Sequence, residues 1–254
     1  MQPQLSVVIP CYNEEQNIRL GALDKVARYL EKQPLVWEVL IVDDGSTDAS
    51  KDLIKQFVGG NSHFRLIENT HQGKAGTVVT GMLAATGARI LFTDLDQATP
   101  IDQVEKLLPW LDRGFDVVIG SRKSRRAGAP LLRRLMGPGF MLVRNLILGL
   151  SRIEDTQCGF KLFKREVARK VFSRLKLYNL HKHASGPRVT AGFDVEILFV
   201  ANRSGYKIKE VPVEWHYVET RRVSPLFDSL DALVDILHIR LNSLRGMYER
   251  NSAT

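Results

Sequence analysis

Two aspartates one residue apart, Asp94 and Asp96, are the side chains of this 254-residue sequence best placed to do chemistry. They follow the apolar run from Arg89 to Thr93, which is predicted to be a buried strand. Residues i and i+2 of a strand point to the same side, so both carboxylates would converge where open α/β sheets bind ligands. Like charges repel unless a cation lies between them, and a divalent cation carrying a diphosphate fits there. The alternative is a pair of turn aspartates, one of them capping a helix near Pro100.

An alternation of strand and helix signals indicates the scaffold that must position these aspartates. Such alternation is typical of a mostly parallel, twisted α/β sheet with helices on both faces. Strands are predicted at 5–9, 39–42, 64–67, 90–92 and 117–119, and helical spacing is present at 20–30, 48–57, 74–85 and 104–111.

The pattern changes after Gly120. Richness in arginine, glycine and proline predicts a loop over 121–138, and a second loop is predicted over 176–191. Helices are expected at 140–150, 195–201 and 225–244, the last of them amphipathic, and an edge strand is expected at 208–215. Because neither an internal repeat nor a disordered linker is visible, we expect a single domain over 1–254 made of two halves, 1–120 and 121–254.

Composition restricts the compartment and the partners. The two cysteines, Cys11 and Cys158, are far apart in sequence, which argues against a disulfide scaffold or a cysteine-based zinc site. A formal net charge of +8 favours anionic partners such as phosphates, nucleic acid or an acidic membrane surface. We find no signal peptide and no apolar stretch long enough to span a bilayer, and therefore expect a cytoplasmic location.

Each of the early strands is followed by a polar cluster. The first strand leads into Pro10 to Glu15, and the second leads into Asp43 to Asp48. Three such loops on one rim would form a nucleotide pocket, in which a tyrosine ring stacks on the base, carboxylates accept base and ribose hydrogen bonds, and a metal ion holds the diphosphate. Asp43 and Asp44 could instead shape a turn with Gly45.

Four sequence blocks together resemble the family 2 glycosyltransferases, which have the GT-A fold, a Rossmann-like mostly parallel twisted sheet. A narrower resemblance is to the polyprenyl-phosphate sugar synthases of that family, and in particular to the subgroup that glucosylates dolichyl phosphate from UDP-glucose. The family blocks are Val8 to Glu15, Val42 to Asp48, Gly73 to Gly76 and Asp94 to Asp96, and the narrower ones are Gly120 to Arg122, Asp155 to Phe163 and Phe193 to Glu196.

Matched position by position, the resemblance implies a donor site in the half 1–120. Asp44 would contact the uracil, Asp94 would meet the ribose, and Asp94 and Asp96 are the candidate ligands of Mg²⁺ or Mn²⁺. The full set of residues implied to bind the nucleotide sugar is Pro10, Tyr12, Asn13, Glu14, Asp43, Asp44, Gly73, Lys74, Asp94, Leu95 and Asp96.

The half 121–254 would supply the acceptor side and interfacial helices. Arg122 and Arg133 match positions that hold the phosphate of the lipid acceptor, and together with Asp96 they are the candidate catalytic residues. The phosphate is already anionic at neutral pH, so no strong general base is required. The arginine-rich run from Arg122 to Arg134 alternates with leucines, which suits a membrane-surface element.

The implied reaction is inverting transfer of glucose from UDP-glucose to a polyprenyl phosphate, by a protein peripheral to the cytoplasmic membrane face. The expected partners are the nucleotide sugar, the lipid phosphate and the membrane surface, with an integral membrane partner as the alternative to surface docking and with no nucleic acid. A sibling activity, mannosyl transfer from GDP-mannose, stays open. A nucleotidyltransferase should have a glycine-rich first loop, which Pro10 to Glu15 lacks. A non-catalytic basic module would have no use for paired aspartates.

Overall fold

The computed structural model describes residues 2–122, 131–177, 191–216 and 225–249, and at 131–138, 140, 191 and 225–230 the description is confined to the backbone. The strands are β1 (Leu5–Cys11), β2 (Trp37–Asp43), β3 (Phe64–Glu68), β4 (Arg89–Thr93), β5 (Val117–Ser121), β6 (Phe160–Lys164) and β7 (Ile208–Pro212). The α-helices are α1 (Glu15–Arg19), α2 (Ala22–Leu30), α3 (Ser50–Gly59), α4 (Gly73–Ala84), α5 (Val104–Asp112), α6 (Leu131–Leu148), α7 (Arg165–Phe172), α8 (Ala191–Arg203) and α9 (Pro225–Leu244).

The strands of the described ranges form one sheet in the order β3-β2-β1-β4-β6-β5-β7. Strand β6 is antiparallel to both of its neighbours, β4 and β5, while every other pair is parallel. The expected mostly parallel sheet is therefore confirmed. Because β1, β2, β4 and β5 run in the same direction, their carboxyl ends lie along one edge, where the polar clusters follow.

Alternating burial along the strands separates two hydrophobic layers. In β1, Val8 packs on one face with helices α4, α7, α8 and α9, whereas Val7 and Ile9 pack on the other face with α1, α2, α3 and α5. Successive strand residues point to opposite faces, so a strand buried on both sides must be apolar throughout. The sheet is thus covered on both faces, as the sequence predicts.

Helix α4 approaches the sheet closely at a glycine. A Cβ atom added at Gly81 would lie 2.3 Å from Cγ1 of Val8, so only glycine fits at this contact. The contact fixes α4 against β1 and thereby holds its first residues, Gly73 and Lys74, at the edge of the sheet where the polar loops meet.

Three elements after Gly120 differ from the sequence prediction. Strand β6 and helix α7 were not predicted. In β6, Lys161 and Lys164 interrupt the apolar run, so the sequence does not show the pattern expected of a buried strand. The loop predicted over 121–138 is wrong for 131–138, since α6 begins at Leu131 and continues through Pro138. Leucines at 131, 132 and 135 repeat with helical spacing, and this pattern outweighs the Gly-Pro signal. Residues 123–130 and 178–190, most of the two predicted loops, lie outside the described residues.

Helices α6 and α9 pack against each other and expose large apolar side chains. No helix in the described part of the chain has the length and apolar character needed to cross a membrane. The exposed residues on the two helices are Leu142, Val143 and Leu146 of α6 and Val234, Leu237, Leu241 and Leu244 of α9.

Candidate active site

Asp44 follows β2, and its carboxylate holds the loop that leads into α4. Oδ1 accepts the backbone N–H of Gln72 and Oδ2 accepts that of Gly73, each at 2.8 Å. The Nδ1 atom of His71 lies 2.8 Å from the same Oδ2. Only 1% of Asp44 is exposed, so this carboxylate is a buried acceptor whose position is set by three donors of one loop.

An aromatic pair lies next to Asp44. Tyr12, two residues after Pro10 of β1, stacks on His71 with ring centroids 4.3 Å apart and an angle of 23° between the planes. The ring predicted to stack on a base therefore lies beside the carboxylate predicted to bind that base.

The remaining residues of the first two clusters tie the loops together. Oδ2 of Asp43 accepts the N–H groups of Gly45 and Ser46, which is the turn role given as the alternative to ligand contact. Oδ1 of Asn13 accepts the N–H of Thr47 at 2.8 Å, although Asn13 has a positive φ of 53°. The backbone N–H of Glu14 donates to Ser50 Oγ at 2.7 Å. These contacts fix the shape of the rim around Tyr12 and Asp44.

Lys74 connects α4 to the paired aspartates after β4. Its Nζ lies 2.6 Å from Oδ1 of Asp94 and 5.7 Å from the centre of the Phe92 ring. Partial burial disfavours the charge on Lys74, yet Asp94 and then Asp194 raise its pKa. Lys74 is consequently a cation held at the donor edge by carboxylates.

The two aspartates have different surroundings. The carboxylate of Asp94 lies against Gly159, where an added Cβ would come within 2.0 Å of Oδ2. Oδ1 of Asp96 accepts the N–H of Ala98 at 3.0 Å, which is the turn role, and neither aspartate is recorded as a cap of the helical turn after Pro100. Burial and the nearby Asp94 raise the pKa of Asp96. The intervening Leu95 packs in the core and adds no side chain to the rim.

The donor set suits a hard divalent cation, although the protein supplies few ligands. Carboxylate oxygens are preferred by Mg²⁺ and Mn²⁺, and the pKa of Asp96 is raised first by burial and then by the negative charge of Asp94, which a bound cation would offset. Within the described ranges, no cluster of three or more His, Cys, Asp or Glu residues could hold a metal ion. Asp94 and Asp96 would therefore bind a cation together with phosphate oxygens of a ligand.

Arg122 follows β5 and is locked to Asp155. Its Nε and Nη2 atoms each donate to the carboxylate of Asp155 at 2.8 Å, and its backbone N–H donates at 3.0 Å. Burial disfavours the guanidinium charge, but Asp155 outweighs it and raises the pKa of Arg122. The guanidinium lies 5.8 Å from the centre of the Trp215 ring. The side chain of Arg133, on α6, lies outside the described residues.

The segment that carries Asp155 is itself held from two directions. Glu210 of β7 accepts the backbone N–H groups of Glu154 and Asp155 at 2.8 and 2.9 Å. Arg144 of α6, only 1% exposed, donates to the carbonyl of Ile153 and to Oγ1 of Thr156. Arg122 is thus positioned by a carboxylate whose backbone is fixed by other elements.

A buried ion pair between Lys161 and Asp194 was not predicted by the sequence analysis. Lys161 of β6 is 0% exposed and donates to the carbonyl of Cys158 at 2.6 Å and to Oδ1 of Asp194 at 2.5 Å. The charge of Asp194 contributes to the raised pKa of both Lys74 and Arg122. The charge of Asp194 therefore acts on both ends of the site, and a lysine inside an otherwise apolar run was the signal that could have indicated the pair.

The mostly parallel sheet, covered by helices on both faces and followed by polar loops along one edge, defines an α/β protein. The model of the family "Glycosyl transferase family 2" matches residues 6–172, and the chain belongs to this family. It is therefore a glycosyltransferase, as the resemblance implied, and the fold is of the GT-A type.

Curated relatives match over nearly the whole chain. The dolichyl-phosphate β-glucosyltransferase of Saccharomyces cerevisiae is 35% identical over 274 residues, which covers 97% of this chain and 77% of the relative. The enzyme of the same name from Homo sapiens is 34% identical, covering 96% of this chain and 77% of its own length.

Solved structures share the fold at low sequence identity. Glucosyl-3-phosphoglycerate synthase of Mycobacterium tuberculosis, in complex with Mn²⁺, UDP and glucosyl-3-phosphoglycerate, has a TM-score of 0.64 at 18% identity and covers 93% of this chain and 80% of its own. A mannosyltransferase of Pyrobaculum calidifontis, in complex with GDP-mannose and Mn²⁺, has a TM-score of 0.56 at 18% identity. The match covers 99% of this chain and 77% of the mannosyltransferase.

Proposed function

We propose that this protein transfers glucose from UDP-glucose to a polyprenyl phosphate such as dolichyl phosphate, with inversion at the anomeric carbon. One observation supports this reaction above the others. The short segment from Asp155 to Gly159 touches both ends of the site, since Asp155 binds Arg122 and Gly159 lies against Asp94. One short segment thereby links a carboxylate pair suited to a metal–diphosphate with an arginine suited to a phosphate, and the curated relatives carry the matching name.

The donor would occupy the edge formed by β1, β2 and β4. Its base would lie at Tyr12 and Asp44, and its diphosphate would lie near Lys74 and the two aspartates at 94 and 96. A divalent cation bound by Asp94 and Asp96 would offset the charge that develops on the leaving diphosphate. Lys74, already held 2.6 Å from Asp94, would supply a second positive charge at the same group.

The acceptor phosphate would bind at Arg122. Asp155 uses Nε and Nη2 of the guanidinium, and Nη1 has no recorded hydrogen-bond partner among the described residues. Guanidinium groups bind phosphate through paired N–H donors, so the free part of this fork can orient the attacking oxygen. The phosphate oxygen forms a bond to the anomeric carbon while the bond from that carbon to the UDP oxygen breaks. Positioning and charge stabilisation supply most of the rate.

A lipid acceptor requires access to a membrane, and we propose that the protein docks on its cytoplasmic face. The support is the pair of packed helices α6 and α9, whose exposed apolar residues recur with helical spacing. On α6 they are Leu142 and Leu146, and on α9 they are Val234, Leu237, Leu241 and Leu244. The exposed apolar side chains suit insertion at a membrane surface, and the net charge of +8 suits its acidic headgroups. The protein would dock there either alone or next to an integral membrane partner.

A donor screen tests the proposed function. The purified protein is incubated with a polyprenyl phosphate, Mn²⁺ or Mg²⁺, and either radiolabelled UDP-glucose or radiolabelled GDP-mannose. We expect label in the lipid fraction from UDP-glucose, in a β-linked product. Label from GDP-mannose alone would establish the sibling mannosyltransferase instead, and sugar-nucleotide turnover without lipid product would overturn the acceptor assignment.

A further inference from the structure

We infer that the imidazole of His71 occupies the place of the donor base, so that the base must displace it in order to bind. This inference rests on the proposed function in one respect, namely that Tyr12 and Asp44 form the base pocket. Nothing in the family blocks points to His71 as a ligand of any kind. The structure nevertheless gives this one ring both of the contacts that the pocket would offer to a pyrimidine.

The first contact is the stack on Tyr12. The two rings have centroids 4.3 Å apart and planes inclined by 23°, which is the separation expected for a base lying on an aromatic side chain. A ring that covers this face of Tyr12 prevents a second ring from using the same face.

The second contact is a hydrogen bond to Asp44. The Nδ1 atom of His71 lies 2.8 Å from Oδ2 and 3.2 Å from the backbone carbonyl oxygen of the same residue. Because both neighbours of Nδ1 are acceptors, this nitrogen must carry the proton. The His71 ring therefore stacks on Tyr12 and donates an N–H to a buried carboxylate. Uracil would make the same two contacts, with its ring on Tyr12 and its imide N–H to Asp44.

The carboxylate of Asp44 has little room for an additional donor. It already accepts two backbone N–H groups, from Gln72 and Gly73, besides His71. A carboxylate offers about four lone-pair sites, and those two backbone donors belong to the start of α4 and cannot leave without disturbing the helix. The side chain of His71 is the one of the three donors that can rotate away.

Departure of the ring has a small cost. The Nε2 atom of His71 is buried and has no hydrogen-bond partner in the described part of the chain. A buried polar atom without a partner is unfavourable, and rotation into solvent would give this nitrogen a water partner. The backbone of the loop need not move, because Asp44 anchors it at the two residues that follow His71.

The test measures nucleotide affinity in the His71→Ala protein. We expect the dissociation constant of UDP, measured by calorimetry with Mn²⁺, to fall by about three- to ten-fold, since a competing stack and hydrogen bond are removed. The affinity for pyrophosphate, which has no base, should not change. His63→Ala is the matched control, because His63 lies on Trp37 with ring centroids 4.6 Å apart and away from the site.

Weaker UDP binding by His71→Ala would show that His71 is a second wall of the base pocket, and unchanged binding would show that it does not occupy the base position; either result overturns the inference. Thermal unfolding of both variants shows whether they are folded.

In the wild-type protein, the His71 ring resonances, assigned by their loss in His71→Ala, should shift on addition of UDP and not on addition of pyrophosphate. If GDP binds and UDP does not, the assignment of UDP-glucose as donor fails. The GDP affinities of the wild type and of His71→Ala then test separately whether the base displaces the His71 ring.

Discussion

The two ends of the site are built differently. At the donor end, the carboxylates of Asp43, Asp44 and Asp96 are satisfied mostly by backbone N–H groups of short loops. At the acceptor end, charged side chains pair with one another across long stretches of chain, as Arg122 does with Asp155 and Lys161 does with Asp194. At Asp44 one donor, the side chain of His71, can give way to a ligand with little rearrangement of the backbone, whereas the charge network fixes an arginine before any phosphate arrives.

The largest loss of transfer activity should come from a substitution at the donor end. Asp96→Asn keeps an acceptor for the N–H of Ala98 but removes the charge that would hold a divalent cation. We expect transfer to fall on the order of 10²- to 10³-fold with little loss of stability. The measurement is turnover at saturating Mn²⁺, and Asp52→Asn, at an exposed position of α3, is the control. Turnover close to that of the wild type would remove Asp96 from the metal site.

A smaller and more selective effect is expected at the acceptor end. Arg122→Ala should raise the KM for polyprenyl phosphate, or lower turnover, by about ten- to a hundred-fold, because a charge-assisted contact to phosphate is lost. The dissociation constant of UDP should stay the same. Steady-state kinetics and calorimetry separate the two quantities, with Arg169→Ala on the exposed side of α7 as the control. A parallel loss of UDP affinity would contradict the division of the site into two ends.

The buried pair Lys161–Asp194 tests how the charge network itself is held together. Lys161→Met leaves Asp194 without its buried cation, and removing one partner of a buried pair typically costs about 3–5 kcal/mol of unfolding free energy. The double variant Lys161→Met with Asp194→Asn should recover a large part of this loss. Chemical denaturation measures both, and equal stability of the single and double variants would show that the pair is not coupled.

The weakest expected effect is a dependence of stability on acid. Burial raises the pKa of Asp155, but Arg122 outweighs it and holds the pKa below its usual value. The pair therefore contributes its full stability above the pKa of an unfolded aspartate, about 3.9, and loses it as the pH falls through the lower folded value. The difference in unfolding free energy between wild type and Asp155→Asn should shrink on acidification from pH 7 to pH 3. A constant difference would mean that the ion pair does not contribute.

The donor end was predictable because its residues lie in short blocks directly after strands. The strand run Arg89 to Thr93 and the spacing of Asp94 and Asp96 suffice to place two carboxylates at a sheet edge. The side-chain direction of Leu95, buried between them, follows from the same alternation, although the sequence analysis included it among the binding residues. The contacts of His71 were not predictable, since its partners Tyr12 and Asp44 follow two different strands, β1 and β2.

The acceptor end was predictable only through family resemblance. Asp155 lies 33 residues from Arg122, and Glu210 lies 55 residues from the backbone N–H of Asp155 that it accepts. Neither separation corresponds to a helix or strand period, so no local pattern connects these residues. Strand β6 escaped prediction for the same reason, because the partner that makes Lys161 tolerable in a buried strand is contributed by α8.

The sequence by itself determined the alternation of strands and helices as far as β5, the mostly parallel sheet and the edge at which its polar loops meet, because strand direction and side-chain alternation follow from local patterns. Only the tertiary structure decided which charges face each other. A buried charge is stable only beside its counter-charge, and the chain brings the two together through sheet pairing between distant segments.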